Sequence, residues 1–519
     1  MSIFQKFRSV VARAIAPAPT RRSFQGAQVG RLYANWIASA TSADSEIRRD
    51  IRKLIDRSRD LERNNDYQRG FLLSAQRNIN GSHKMDLRSD AGEWVFKKGG
   101  VATWQADQMA KRMIEDAWAE WGKAGACTVD RRRGWRDVRR LAVRSVIRDG
   151  NFIARKIVGK AAGNRFGFAL QLWEIDHLDL LKFQPASRTA NEIRFGIEYD
   201  SQGAPIAYWL RARHPGDYFG VDTGSQEATR FPAEEIYHLF VDERAEQSVG
   251  YPWVVSAITR LRQLGAFEEA AVIAARLGAS KVGFFKKVSA DGRVGSYDGE
   301  TTSDGRAIID GAPGTFEELP EGWALDQWSP EYPNIETGEF RKAMLRGVCS
   351  SLGCSYTTLG NDLESVNFSS ARVGIFDERE GWKDLQLFFS EGLWERIFAD
   401  WLEAAIMNGA INLPLGKFAK FNRPVFKARR WAFIDPLKET EAAKSAIALR
   451  INSRRSIIED QGGDVEDVFH DNLDDEQLAE DIGLELPDVT GAPAGQMQAD
   501  QEDPTDQASS ATKKPTAAS

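Results

Sequence analysis

Pro252–Lys281 reads PWVVSAITRLRQLGAFEEAAVIAARLGASK, and its pattern organises the sequence on either side. Proline is tolerated in the first turn of a helix, and the residues after it are helix formers with apolar positions at Val254, Ile258, Leu261, Leu264 and Phe267. The pattern predicts one long helix over 252–281, reaching about 45 Å at about 1.5 Å per residue. Its later surface is Ala266, Ala270, Ala271, Ala274, Ala275 and Ala279, small side chains that let another helix approach closely.

Downstream, Val282–Pro333 switches to Gly, Asp, Pro and short strands, among them Ser289–Gly305 and Gly311–Gly314. Helical patterning returns over Glu336–Leu352, breaks over Gly353–Asn367, and resumes from Ser369 to Met407. The segment 282–335 is therefore an insertion between two helices. A strand is expected over Phe418–Phe433, then helices over Pro436–Leu449 and Ser453–Gln461. Upstream, helical periodicity runs over Ala43–Ile79, Gln105–Trp121 and Val138–Arg148. Strands follow at Phe152–Val158, Phe168–Ile175, Glu192–Tyr199 and Ala204–Arg211, the last two joined by a hairpin turn at Gly203.

At 519 residues the chain exceeds the roughly 250 to 300 at which single cores split, so at least two structural units are expected. With 15 Trp and 28 Phe it has ample apolar mass for a core. No run of about 18 uncharged apolar residues exists, and the best short one, Ala270–Ala275, is flanked by Glu268, Glu269 and Arg276, so no membrane span is expected. Lys6, Arg8, Arg13, Arg21 and Arg22 make the first residues a basic arm, interrupted by charge where a secretory signal would be apolar. Three cysteines do not make a disulfide scaffold and point to a reducing compartment. The net charge of −6 lacks the basic bias of a dedicated duplex binder, and the stretch from Pro487 onward has the composition of a disordered tail.

Catalytic signatures are missing from the sequence. Gly122-Lys123, Gly159-Lys160 and Gly416-Lys417 are each followed by Ala or Phe, where a phosphate-cradling loop requires Ser or Thr. No Gly-x-Ser-x-Gly nucleophile turn occurs. His83, His177, His214, His238 and His470 lack metal-ligand spacing, and His238, within Ile236–Phe240, reads as structural. Cys349 and Cys354 read as small hydrophobes at a helix end. Glu174, Asp176 and Asp179 form a carboxylate cluster that a metal-dependent nuclease could use, but at a strand-to-loop exit it reads as a solvated turn. No catalytic residue, metal or cofactor is expected.

Several segments, in order, resemble the lambda-type family of phage portal proteins, over about Arg59–Gly463. They are Arg59, Leu61, Arg63, Asn64, Asn65 and Tyr67; Trp118, Trp121 and Cys127; and Leu141, Arg144, Asp149 and Gly150. The hairpin Gly196–Tyr208 and the series Glu234, Ile236, His238, Phe240, Arg244, Gln247, Gly250, Pro252 follow. Next come Gly353, Ser355, Tyr356, Leu359, Asp362 and Asn367–Arg372, then Trp431, Asp435, Pro436, Lys438, Glu439, Ser453, Gly462, Gly463 and Asp464. The departures are Asn151 where an acidic residue is expected, and Ala245-Glu246 and Val249-Gly250 where the family usually has Pro-Gly and Arg-Gly.

The resemblance implies an α+β fold of portal type, with a wing, long stem helices, an α/β clip and a helical C-terminal crown. The expected divisions are a basic arm 1–42, wing 43–251, stem helix 252–281, clip 282–335, second stem helix 336–353 and tunnel loop 354–368. A returning helix with wing strands covers 369–435, crown helices 436–485, and a tail 486–519. The implied function is a ring, usually of twelve subunits, at one capsid vertex of the virion, assembled in the host cytoplasm. It would conduct double-stranded DNA without sequence preference. Expected partners are the terminase large subunit, major capsid and scaffold proteins, and head-completion or tail adaptor proteins, with no membrane. Asn361, Asp362, Glu364, Asn367, Ser369 and Arg372 are the candidate tunnel-loop residues. Arg260, Arg262, Arg276, Lys281, Lys286 and Lys287 are candidate basic contacts of stem and clip. A minor capsid or adaptor protein is the other head-assembly reading.

Overall fold

The computed structural model describes residues 40–81, 87–96, 102–217, 227–279, 283–287, 323–327, 336–362, 368–431, 435–461, 463 and 465–484. They fall into two units that divide between Arg429 and Arg430. In the first unit, helix α1 (Ala43–Asn64) is capped by Ser42, whose side chain accepts from the Ser45 amide. The single helical run expected over 43–79 breaks at Asn65, which is extended and caps α2 (Asp66–Asn80) by accepting from the Gln68 amide. Asparagine's short side chain competes for backbone donors, which turns a helix interior into a helix start.

Strands β1 (Leu87–Ser89), β2 (Gly92–Phe96) and β3 (Ala102–Ala106) come next, β2 pairing antiparallel with β3. Gln105, expected to open a helix, lies in β3, and helix α3 (Gln108–Trp121) starts after the cap Asp107. Helix α4 (Trp135–Asp149) turns at Gly150 directly into β4 (Asn151–Val158). Gly150 has φ +82, and a Cβ there would lie 2.4 Å from the Tyr251 backbone, so only glycine fits.

Strand β5 (Phe168–Trp173) ends two residues before its expected limit, giving way to a 3-10 turn at Ile175–His177. The strand expected over 192–199 is a hairpin: β6 (Glu192–Arg194) and β7 (Ile197–Tyr199) reverse at Phe195 and Gly196, both at positive φ. With β8 (Pro205–Leu210) and β9 (Thr229–Pro232) they form a four-stranded antiparallel sheet, while β10 (Ile236–Phe240) joins β4 and β5 in a second sheet. Ile47, Ile51 and Ile55, one stripe of α1, belong to a core with Ile153, Phe195, Ile197, Leu210 and Ile236 from both sheets. Each such side chain stabilises the fold by roughly 1.5–3 kcal/mol relative to leaving it in water.

The long helix over 252–281 is shorter at its start. Pro252 and Val254 form a buried turn, a 3-10 turn covers Val255–Ala257, and α5 proper is Ile258–Ala279. The insertion contributes β11 (Gly283–Lys287) and β12 (Trp323–Gln327), paired antiparallel. Lys281 and the short strands expected over 289–305 and 311–314 lie outside the described residues. Helix α6 (Glu336–Leu352) matches its expectation, and the expected break holds a single turn, α7 (Tyr356–Gly360).

Helix α8 (Phe368–Phe389) passes through one π turn, Ser390–Trp394, into α9 (Glu395–Met407). At that turn a Cβ on Gly392 would meet Leu239 at 2.7 Å, so glycine permits the close approach. Among the described residues, most of the expected strand over 418–433 is not a strand: Phe418–Phe421 is a helical turn, α10, with its aromatics three apart, and β13 (Pro424–Phe426) pairs with β1. Proline cannot donate to a ladder, which confines it to a strand's first position.

The second unit contains α11 (Pro436–Ala448), α12 (Arg454–Asp460) and α13 (Val465–Ile482). Asp435 and Ser453 cap the first two, accepting from the amides of Lys438 and Ser456. Helix α13 carries the acidic stretch, with Asp471, Asp474, Asp475 and Glu476 exposed. No described helix is long and apolar enough to cross a membrane.

Candidate functional site

Helices α5 and α6 form a hairpin whose register is set by three contacts. Ser256 meets Ser351, the Arg260 guanidinium lies across Gly347, and the Phe267 and Phe340 rings are 4.9 Å apart. The partners step forward on one strand of chain and backward on the other, so the helices run antiparallel. Gly347 leaves room for that guanidinium: a Cβ there would sit 1.7 Å from Arg260 Nη1 and displace it. Leu261, Leu264, Leu345 and Val348 are buried at the base.

The opposite face of α5 is bare. Arg262, Ala266, Glu269, Ile273 and Arg276 are all exposed, and their spacing alternates four and three residues. That is the spacing of a helix-packing seam, here apolar and small in part and carrying both charge signs.

Residues after α6 are tied down by one acid. Gly353 turns at φ +66, Ser355 caps α7, and the Glu378 carboxylate on α8 accepts from the Ser355 amide (3.3 Å), Thr358 Oγ1 (2.9 Å) and Trp382 Nε1 (3.1 Å). Nothing in the spacing of the sequence singled out Glu378. Asn361 is exposed at φ +50. Asp362 accepts from the Tyr356 hydroxyl at 3.1 Å and lies 3.9 Å from Lys342 Nζ. Burial, followed by this bond, holds the Tyr356 hydroxyl above its ordinary pKa. Glu364 and Asn367 lie outside the described residues, and Ser369 and Arg372 are in the first turns of α8.

The basic candidates on α5 do not share one face. On α5, Arg262 and Arg276 fall within about 40° of one another at about 100° per residue, whereas Arg260 points to the α6 side. Lys286 and Lys287 stand in β11 opposite Ala324 and Trp323.

The carboxylate cluster is an ion-pair network rather than a solvated turn. Arg59 Nε is 2.9 Å from Asp149 Oδ1 and Arg59 Nη2 is 2.6 Å from Asp176 Oδ2. Arg148 adds Asp149 and Glu62. Burial pushes the Asp176 carboxyl up, but the Arg59 charge and hydrogen bond outweigh it and hold the group below its usual value. Asp179 stands apart, paired with Arg211 at 2.7 Å. Glu174, Asp176 and His214 approach one another closely enough to share an ion. Binding one would displace Arg59, and ligation by His214 Nε2 would move its ring proton to Nδ1, breaking the bond that Nδ1 accepts from the Gly216 amide.

Asn151 explains its own departure from the expected acid. Its Nδ2 donates to the Gly250 carbonyl (2.8 Å) while its Oδ1 accepts from the Gly250 amide (2.8 Å), a pairing that no carboxylate reproduces. His238 Nε2 lies 3.1 Å from the same oxygen, and burial, with Arg396 nearby, depresses its pKa to about 3, consistent with a neutral structural histidine. Cys349 and Cys354 are buried free thiols.

A helical hairpin carrying a strand-paired insertion, set on a mixed α/β body, is the class of structure these observations define. The model of the phage portal proteins of the lambda family matches residues 29–386. The probable portal protein of Halomonas phage phiHAP-1 is 31% identical over 469 residues, covering 90% of this chain and 88% of that protein. Portal protein B of Escherichia phage lambda is 20% identical, covering 93% of this chain and 94% of its own length. Among solved structures, a chain from the neck of an empty gene transfer agent particle aligns with 80% of this chain and 94% of its own length, at 14% identity and a TM-score of 0.45. The chain belongs to the lambda family of phage portal proteins.

Proposed function

We propose that this chain closes into a ring with copies of itself, at a capsid vertex of the virion, and that the ring conducts double-stranded DNA during packaging and ejection. The observation that carries the reading is the bare seam of α5. A helix buried on one face and exposed on a regularly spaced second face is suited to a heterologous contact, and repeated heterologous contacts close into rings. Glu269 between Arg262 and Arg276 offers both signs to a neighbour.

On this reading residues 43–251 are the wing, α5 and α6 the stem, the insertion 282–335 the clip, 354–368 the tunnel loop and 436–485 the crown. The clip end would meet the terminase large subunit and the adaptor proteins, and the outer body the capsid and scaffold proteins. The role is mechanical and electrostatic rather than enzymatic.

Electron microscopy of the purified full chain, with native mass spectrometry to count subunits, tests this. Rings with a central hole are expected, and Ile273→Asp on the exposed seam should convert them to monomers. A wild-type chain that stays monomeric with scaffold and DNA present would sink the reading.

Asn361, Asp362, Glu364, Asn367, Ser369 and Arg372 would face or brace the channel near DNA. A channel wall works best without fixed cations, because each Lys or Arg contact to phosphate deepens a salt-sensitive well that resists movement. The double substitution Asp362→Lys and Glu364→Lys is therefore expected to slow DNA packaging in an in vitro assay, and an unchanged rate would remove these residues from the channel.

A further inference from the structure

A cleft of about 680 Å³ opens between α2, α4 and the chain at Arg429, away from the helical hairpin. Its lining includes Arg77, Arg136, Arg140 and Arg429, with Gln76 and Asn80. Arg77, Arg136 and Arg140 have no carboxylate partner among the described residues. Arg429 is fixed in place, its Nη1 donating to Asn78 Oδ1 at 2.7 Å. Burial and the adjacent charge of Arg77 both hold the Arg429 guanidinium below its ordinary pKa. Gly81 makes this convergence possible: it ends α2 at φ +70, and a Cβ there would lie 3.0 Å from the Arg429 amide nitrogen.

The second observation is Asn80. The residue is 3% exposed, and among the described residues neither its Nδ2 nor its Oδ1 has a hydrogen-bond partner. Leaving one buried polar atom unmet costs about 1–3 kcal/mol, so a buried amide with both ends unmet calls for a complementary group. The neighbouring Gln76 is already used, its Nε2 donating to the Arg140 carbonyl at 3.0 Å.

We propose that this cleft is a docking site for an acidic peptide segment of a partner protein. A peptide group carries one donor and one acceptor, which answer the Oδ1 and the Nδ2 of Asn80 together. Carboxylates along the same segment meet the guanidinium groups in bidentate pairs. A DNA phosphate satisfies the arginines but only accepts, and so leaves Asn80 Oδ1 unmet. Leu73, 45% exposed beside the arginines, adds apolar contact to a peptide. The proposal is independent of ring formation, because the cleft lies within one copy of the first unit.

The test is fluorescence anisotropy with the full chain and a labelled peptide of alternating Asp and Gly, beside a matched Asn and Gly peptide and a short labelled DNA duplex. The acidic peptide should bind and the neutral one should not. The exposed pair Arg136→Glu and Arg140→Glu should weaken acidic-peptide binding about tenfold or more. Asn80→Leu should also weaken the peptide while leaving any duplex binding unchanged, and the surface pair keeps the test decisive if Asn80→Leu fails to fold. Failure of the acidic peptide to bind would overturn the proposal. A duplex that displaces the peptide and depends on Arg136 and Arg140 would replace it with a DNA contact.

Discussion

Arg59→Met is expected to cost about 3–5 kcal/mol of folding stability, read as a lowered midpoint in urea unfolding followed by tryptophan fluorescence. The Arg59 side chain is 15% exposed and the Asp149 side chain 2%, so removing the guanidinium leaves a buried carboxylate whose remaining cation, Arg148, also serves Glu62. Breaking one partner of a buried pair costs more than the pair's net contribution, because the stranded charge cannot return to water. The same network predicts acid sensitivity. The Asp176 carboxyl is held below its unfolded value, so its contribution is present above the ordinary aspartate range near about 3.9 and is lost as pH falls through the lower folded value. Arg59→Met should flatten this acid limb, and a variant with wild-type stability at neutral pH would show that the network is not coupled to folding.

Trp118→Ala is expected to be about as damaging, at about 3–5 kcal/mol in the same unfolding assay. The Trp118 ring centroid lies 4.8 Å from Trp121, 4.9 Å from Trp401, 5.2 Å from Trp135 and 5.5 Å from Phe398. It therefore joins α3, α4 and α9, and its removal leaves a cavity that five aromatic neighbours, Phe426 included, cannot collapse to fill. Trp118→Phe should cost much less, since Trp118 Nε1 makes no hydrogen bond that phenylalanine would forfeit. Equal losses for the two variants would contradict a packing origin.

Long periodic elements were legible in the sequence because their apolar spacing is local information. Helix α6 and the first two helices of the second unit lie where the pattern puts them, and the hairpin around Gly203 pairs as the turn chemistry requires. Boundaries failed where one polar residue overrides periodicity, as at Asn65, or where backbone at positive φ reverses a run of strand formers, as at Phe195 and Gly196. Phe418–Phe433 looked like a strand because aromatics favour strands, yet the chain there has only β1 to pair with. The site was less legible than the fold. Glu378 matters through contacts made across the fold, and no spacing rule brings it to notice. Asp176 belonged to a recognised cluster, but the cation that neutralises it lies far upstream at Arg59, so its role needed the tertiary structure.

The antiparallel register of α5 and α6 has an evolutionary consequence. Because the chain leaves and re-enters the body side by side, and β11 pairs with β12 immediately beyond α5, the connection between those strands starts and ends at one narrow base. Lengthening such a segment costs only loop-closure entropy, about 0.6 kcal/mol for each doubling. Lineages could therefore lengthen or shorten that connection while the core beneath it, and the selection acting on that core, stayed unchanged.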